Sequence, residues 1–107
     1  GVLVDVTTTT REAGIRFPVA LTRAVFETCV AWSRRDVHQD ESGRLWDVCW
    51  MLSLAMRRAA GDRLVFVVLC IPPTGRGHRA RPVQLRAVCG PGDTAEPVIT
   101  VMLPDED

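Results

Sequence analysis

The side chains most capable of chemistry are collected in one polar segment, residues 36–47. It contains His38, Asp40, Glu41 and Asp47. Two or three carboxylates with a histidine can hold Mg²⁺ or act as a general acid and base. The same acids also suit a structural role, because Asp40 can cap a helix while Glu41 and Asp47 complement its positive N-terminus. The structural role is the commoner one, so we assign no catalytic residue and no metal ligand here. A small metal-dependent or acid–base enzyme using the three carboxylates stays as an alternative.

Motifs typical of enzymes are missing from the sequence. There is no nucleophile elbow, Walker loop, HExxH pattern or dinucleotide fingerprint. The glycine-rich stretch 89–93 (CGPGD) precedes an apolar run typical of a strand, so it predicts a hairpin turn and not a phosphate cradle. We therefore expect no cofactor, and the sequence argues against an enzyme.

A second candidate surface is basic. Arg76, Arg79 and Arg81 lie in one polar loop with His78, and arginine side chains suit contacts with nucleic-acid phosphates. The loop has no aromatic residue for base stacking, and residues 93–107 hold five acids and no arginine, which would repel a polyanion. These features argue against nucleic acid as a partner, and an arginine-loop nucleic-acid binder stays as a further alternative.

Two tryptophans follow the acidic segment, one helical turn apart. Trp46 and Trp50 have the i, i+4 spacing that puts side chains on one stripe of a helix. Tryptophan is enriched at interaction hot spots, but this stripe also suits the core, beneath another helix or beneath residues upstream of Gly1. The sequence leaves both interpretations open. The candidate interaction surface comprises His38, Asp40, Glu41, Arg44, Trp46, Asp47 and Trp50.

The cysteines are spread evenly through apolar stretches. They are Cys29, Cys49, Cys70 and Cys89, and no two form a CxxC pair. A structural zinc site needs closely paired ligands, whereas a lone buried cysteine behaves as a small hydrophobic residue. We predict four reduced thiols without metal, which fits a reducing cytoplasm.

Two amphipathic helices are predicted to position these residues. The first runs from Thr22, its cap, to Trp32. The second runs over residues 44–60, with Asp40 or Ser42 as its cap and Gly61 as its stop. It is apolar on two sides, so we expect it to be buried between the sheet and another layer.

Strands dominate the rest of the pattern. The nearly continuous apolar run 63–71 predicts a central strand, 83–89 alternates, and 98–103 is the last strand. The long loop 72–82 and the turn 90–93 between these strands favour an antiparallel meander, and residues 2–6 can add an edge strand. Residues 7–14 predict a short helical turn that ends at Gly14. The fold class is therefore α+β, with two main helices packed on an antiparallel sheet of three to four strands.

Composition bounds the remaining possibilities. With 107 residues, of which 47% are hydrophobic and 24% charged, the chain suits one domain with its own core. No apolar run approaches the roughly 20 residues that a membrane span needs, so we expect no membrane association. The chain opens at Gly1 directly into an apolar run, and we expect natural residues upstream of it.

Four stretches carry a resemblance to a known family. They are residues 38–51 (HQDESGRLWDVCWM), 1–6 with 11–14, 16–25 (RFPVALTRAV) and 88–103 (VCGPGDTAEPVITVML). Together they resemble a family of small uncharacterised bacterial proteins encoded on plasmids, phages and other mobile elements. In that family a further N-terminal stretch precedes the similar region. The loops 33–37 and 76–81 match the family least.

The resemblance implies a setting and no reaction. Accessory proteins of mobile elements often bind host machinery, including as inhibitors of defence systems, which is an argument from setting alone. Our leading hypothesis is a non-enzymatic, cytoplasmic protein-binding module, whose partner is a host protein or a second copy of the chain.

Overall fold

Helices cover one face of a five-stranded sheet in the computed structural model of the chain, which describes residues 2–92 and 94–106. In chain order the elements are β1 (Leu3–Asp5), α1 (Thr7–Glu12), β2 (Val19–Thr22), α2 (residues 23–30), α3 (Glu41–Arg58), β3 (Arg63–Cys70), β4 (Arg81–Pro91) and β5 (Pro97–Met102). The strand order is β1-β2-β5-β4-β3. The β2–β5 pair is parallel, and the other neighbours are antiparallel.

The first residues form an edge strand and a short helix, as predicted. Asp5 ends β1, and its carboxylate accepts hydrogen bonds from the backbone N–H and the hydroxyl of Thr7, at 2.9 and 2.6 Å. These bonds hold the pKa of Asp5 below its usual value and fix the start of α1. Gly14 follows with φ of +93°, a conformation that glycine adopts without strain.

The predicted first helix, 22–32, is shorter than expected and is not a regular α-helix. Thr22 caps it as predicted, because its hydroxyl accepts a hydrogen bond from the N–H of Val25 at 3.3 Å. After one α-helical turn the backbone widens into a π-helix, Phe26–Val30, and Ala31 N–H donates to the carbonyl of Phe26 at 2.8 Å. The chain leaves the helix at Ala31, so Trp32 lies in the following loop.

The three C-terminal strands form the predicted antiparallel meander. β3 pairs with β4 along its whole length, and β4 pairs with β5. The interpretation of residues 63–71 as a central strand is wrong, because β3 is the outermost strand. The sheet is also mixed and five-stranded, since β2 inserts between β1 and β5. The sequence did not predict β2, whose parallel pairing is the one departure from an antiparallel sheet.

The core lies between the sheet and the helices. Side chains that are less than 2% exposed come from every layer and include Leu21, Val25, Val30, Val48, Leu52, Val68, Leu85 and Val101. The prediction that α3 is buried on two sides is wrong. One side of α3 packs on this core, while Trp46, Trp50 and Met51 on the other side reach solvent. None of the described helices combines the length and apolar character that a membrane crossing demands.

Candidate functional site

The start of α3 is held by two of the predicted carboxylates. Asp40 is the N-cap, and its side chain accepts a hydrogen bond from the backbone N–H of Gly43. A Cβ added at Gly43 would lie 2.9 Å from the Asp40 Oδ1 atom, so a larger residue there would have to displace the capping carboxylate. The Glu41 carboxylate accepts from the backbone N–H of Trp32 at 2.9 Å. Asp40 thus has the capping role that the sequence predicts, while Glu41, in the first turn of α3, joins the helix start to the loop after α2.

A shallow cavity beside this turn brings several predicted site residues together. Its volume is about 350 Å³, and it is lined by His38, Gln39, Asp40, Gly43, Arg44, Trp46 and Asp47. The lining does not include Glu41, which turns toward Trp32 instead. Across residues 2–92 and 94–106, no three histidine, cysteine, aspartate or glutamate side chains are grouped closely enough to hold a metal ion. The cavity is therefore polar on one side and aromatic on the other, and its lining has no cluster of metal-binding side chains.

Trp46 and Trp50 form an exposed aromatic pair on α3. Their ring centroids are 5.9 Å apart and the planes differ by 17°, so the rings are stacked. The two residues are 37% and 39% exposed, and the neighbouring Met51 is 37% exposed. The guanidinium of Arg57 lies 5.8 Å from the Trp50 ring centroid. We call Trp46, Trp50 and Met51, with the flanking Asp47 and Arg57, the tryptophan surface.

Arg44 lies beneath this surface rather than on it. The residue is 5% exposed, and its guanidinium donates to three backbone carbonyls: Val30 at 3.1 Å, Ile71 at 3.0 Å and Thr28 at 3.3 Å. Two of those carbonyls end α2, and the third follows β3. Arg44 therefore joins three elements of the fold, and this role cannot be recognised from the sequence because its partners are backbone atoms.

Trp32 is enclosed by two arginines. The guanidinium of Arg44 lies 4.7 Å from its ring centroid and that of Arg34 lies 5.4 Å away. The indole N–H donates to the carbonyl of Val37 at 3.2 Å. This packing orders the loop between α2 and α3, which carries His38 to the edge of the cavity.

Arg34 links the loop between α2 and α3 to the loop after β3. Its side chain is 7% exposed, forms two hydrogen bonds to the Asp36 carboxylate at 2.9 and 2.6 Å, and donates to the carbonyls of Pro72 and Gly77. The loop after β3, residues 71–80, is thereby held near its start and at its middle. The predicted nucleic-acid contacts Arg76 and Arg79 lie in this loop and Arg81 is the first residue of β4, and all three are exposed.

The stability of the fold is expected to depend on pH through Asp36. Hydrogen bonds from Arg34 lower the pKa of Asp36 to about 2, well below the value of about 4 in an unfolded chain. Stability from this pair is thus fully present above about pH 4 and is lost as the pH falls toward 2. We expect Asp36→Asn to lower the melting temperature at pH 7, with the difference from wild type disappearing near pH 2.

Melting curves recorded between pH 7 and pH 2 test this expectation. Asp105→Asn, at an exposed aspartate on the C-terminal segment, is the matched control and should run parallel to wild type. A constant gap between Asp36→Asn and wild type over the whole range would contradict the role of the ion pair.

The cysteines lie where the sequence predicted, inside the apolar elements. Cys29, Cys49 and Cys70 are buried, Cys89 is half-buried, and all four are free thiols. A hydrogen bond between Cys29 and Cys70 raises the pKa of Cys29 and lowers that of Cys70, and the Arg44 charge lowers both. Burial raises the pKa of the Cys49 thiol to about 12.

Thiol titration without reductant is expected to count four groups in denaturant. In the folded protein Cys89 should react first, and Cys49 should react only on the timescale of unfolding because a buried, protonated thiol is a poor nucleophile. Cys89→Ser should remove the fast phase alone. A count below four, or a fast phase that survives in Cys89→Ser, would contradict this assignment.

A second apolar surface was not predicted. Val65, Val67 and Leu69 of β3 point away from the helices and are 55%, 45% and 64% exposed. On the same face, a cavity of about 390 Å³ is lined by Leu3, Val88, Gly90, Pro91, Gly92, Val98, Thr100 and Met102. The run 63–71 is apolar on both faces, so its sequence carries no alternation that could mark one face as exposed.

Comparison with known proteins gives a family without a described activity. No curated protein and no solved structure matches the chain. The family model described as "Family of unknown function (DUF6573)" matches residues 1–107. The protein therefore belongs to the DUF6573 family, whose description assigns no function.

Proposed function

We propose that this protein is a non-enzymatic binding module that contacts another protein through the tryptophan surface. The exposed stack of Trp46 and Trp50 carries the proposal. Two large aromatic side chains that are more than a third exposed on one helix can bury further apolar area when a partner covers them. Such rings lose little conformational freedom on binding, because each tryptophan has two side-chain torsions and the stack already restrains them.

The surroundings of the pair match the layout of a protein interface. Asp47 and Arg57 are exposed next to the rings, and the cavity with His38 and Asp40 adjoins Trp46. An apolar centre contributes most of the affinity, while a charged rim mainly affects association rate and specificity. The proposal retains His38, Asp40, Trp46, Asp47 and Trp50, while Arg44 is buried beneath them and the exposed Glu41 is bonded to the backbone of Trp32.

The alternatives receive less support from the same geometry. Asp40 and Glu41 are already bound to backbone N–H groups, which leaves Asp47 as the one acid of the enzyme hypothesis without such a bond among the described residues. The loop arginines Arg76 and Arg79 are exposed, but no aromatic residue lies in that loop. Stacking on bases would need one.

The proposed setting is the cytoplasm of a bacterium that carries a mobile element, where the module would bind host machinery, for example a defence protein. This part of the proposal rests on the sequence resemblance in the stretches 38–51 and 88–103. It predicts no reaction, only an association.

Capture experiments test the proposal. The chain, tagged and immobilised, is incubated with lysate of a bacterial host that also expresses an untagged copy, so that host proteins and the chain itself can be recovered. The double variant Trp46→Ala/Trp50→Ala should lose what wild type retains, and Val67→Ala, an equally exposed apolar position on the sheet, should retain it. If the double variant and wild type capture the same proteins to the same extent, the proposal is refuted.

A further inference from the structure

Two of the buried cysteines line one small cavity where α2, α3 and β3 meet. Cys29 belongs to the π-helical part of α2, and Cys70 is the last residue of β3. The cavity has a volume of about 190 Å³, and its lining also includes Arg44, Asp47, Leu69 and Ala80. The two cysteines are 1% and 7% exposed, whereas the last three of these residues are exposed. The cavity therefore leads from solvent to a pair of thiols.

Arg44 holds the two cysteine-bearing segments together. Its guanidinium donates to the carbonyls of the residues on either side of Cys29, at 3.3 and 3.1 Å, and to the carbonyl of the residue after Cys70, at 3.0 Å. The end of a helix leaves carbonyls without helical partners, so those of α2 are free to accept these bonds. One buried cation thus fixes the backbone beside both cysteines, and the two thiols stay close for as long as the fold is intact.

The two thiols differ in their readiness to react. The hydrogen bond between them lowers the pKa of Cys70 and raises the pKa of Cys29. The charge of Arg44 lowers the pKa of Cys70 as well, and the opposing influence of the Asp47 charge is smaller. The thiolate is the nucleophile in cysteine oxidation, and a second thiol beside it completes a disulfide. Cys70 is therefore the attacking thiol, and Cys29 is the thiol that resolves its oxidised form.

We infer that Cys29 and Cys70 form a dithiol site for hydrogen peroxide that closes to an intramolecular disulfide. The Cys70 thiolate attacks one oxygen of the peroxide, so an S–O bond forms, the O–O bond breaks, and the leaving hydroxide takes up the proton that Cys70 released. The Cys29 sulfur then attacks the sulfur of the Cys70 sulfenic acid. An S–S bond forms, the S–O bond breaks, and the second hydroxide leaves with the Cys29 proton. Two thiols are oxidised by two electrons in all, and the peroxide is reduced to two molecules of water.

The other cysteines lack this arrangement. Burial raises the pKa of Cys49 to about 12, and a buried, protonated thiol is a poor nucleophile. Cys89 is half-buried and lines a different cavity, whose lining among the described residues holds no second cysteine. An oxidised Cys89 thus has no neighbouring thiol with which to form a disulfide. Without an oxidant we expect all four groups to remain thiols, and with peroxide we expect one specific pair to close.

Peroxide treatment followed by peptide mapping tests the inference. The folded wild-type chain is exposed to hydrogen peroxide, quenched, unfolded, alkylated and digested. We expect mass spectrometry to find a Cys29–Cys70 cross-link that disappears after reduction with dithiothreitol. Cys49→Ser and Cys89→Ser are the matched controls and should form the same cross-link. Cys29→Ala should stop at a sulfenic acid on Cys70, which dimedone traps.

The folded state must favour this pairing. We expect the cross-link to form at least about tenfold faster in the folded chain than in the chain unfolded in urea, because unfolding removes the proximity of the two thiols. The mapping uses the wild-type chain, so the result does not depend on whether Cys29→Ala folds. A folded chain that keeps Cys29 and Cys70 free while Cys89 is oxidised would overturn the inference. A cross-link that forms equally fast in urea would overturn it as well.

Discussion

Replacing Arg44 by methionine is expected to lower the free energy of unfolding by about 3 kcal/mol or more. The substitution keeps much of the apolar stem but leaves the carbonyls of Thr28, Val30 and Ile71 without their donor. Buried acceptors that lose a charged donor are not rehydrated, so their desolvation is no longer compensated. The change also removes the cation that lies against Trp32.

Urea unfolding followed by circular dichroism measures this effect. Arg23→Met is the control, since Arg23 is exposed and its ion pair with Glu27 spans one helical turn, so we expect a change within about 0.5 kcal/mol. If Arg44→Met lowers the free energy of unfolding by less than about 1 kcal/mol, water or other donors replace the guanidinium. The assignment of Arg44 as a residue that joins three elements would then be wrong.

Trp50→Ala is expected to have its large effect on association and a small one on folding. Truncating a hot-spot tryptophan should weaken binding by about 2 kcal/mol or more. The free energy of unfolding should fall by only about 1 kcal/mol, because more than a third of the residue is exposed and alanine is the better helix former. A core tryptophan would instead lose about 3–5 kcal/mol of stability on the same substitution.

Trp32→Ala provides the opposite behaviour within the same chain. Trp32 is held between Arg34 and Arg44 and donates its indole N–H to a backbone carbonyl, so its removal should destabilise the fold without a specific effect on binding. Measuring unfolding and binding for both variants thus distinguishes the structural role of Trp32 from the surface role of Trp50.

Local signals in the sequence predicted the elements that depend on local interactions. The cap of α3, predicted as Asp40 or Ser42 and observed as Asp40, the stop near Gly61 and the turn at Gly14 are set by side chains and backbone conformations within a few residues, so they can be recognised without the fold. The C-terminal meander followed from the runs and turns after Gly61 in the same way.

The errors concern features that depend on distant partners. No strand was predicted over Val19–Thr22, and Thr22 was expected only as a helix cap, because four residues carry little periodicity. The strand conformation of this segment comes from pairing with β1 and β5. β3 was taken as central because it is apolar on both faces, but position in a sheet depends on strand order. The mixed sheet is a consequence of the β2 insertion.

The sequence predicted which segment holds the candidate site but not how its side chains are arranged. Helical spacing correctly placed Trp46 and Trp50 on one stripe, and both were named together with His38, Asp40 and Asp47, three residues that meet in one cavity with Trp46. Burial could not be read from the sequence, so Arg44 was counted among surface residues although the backbone carbonyls of other elements enclose it. The exposed face of β3 was missed for the same reason.

The most direct test of the binding surface is the dissociation constant of the complex, self-associated or with a captured host protein, for Trp50→Ala set against the unfolding free energy of the same variant. We predict that the dissociation constant rises by about 30-fold or more while the unfolding free energy stays within about 1 kcal/mol of wild type. A dissociation constant that does not change, or one that rises only in proportion to the fraction of unfolded protein, would contradict the assignment of Trp46 and Trp50 as the functional surface.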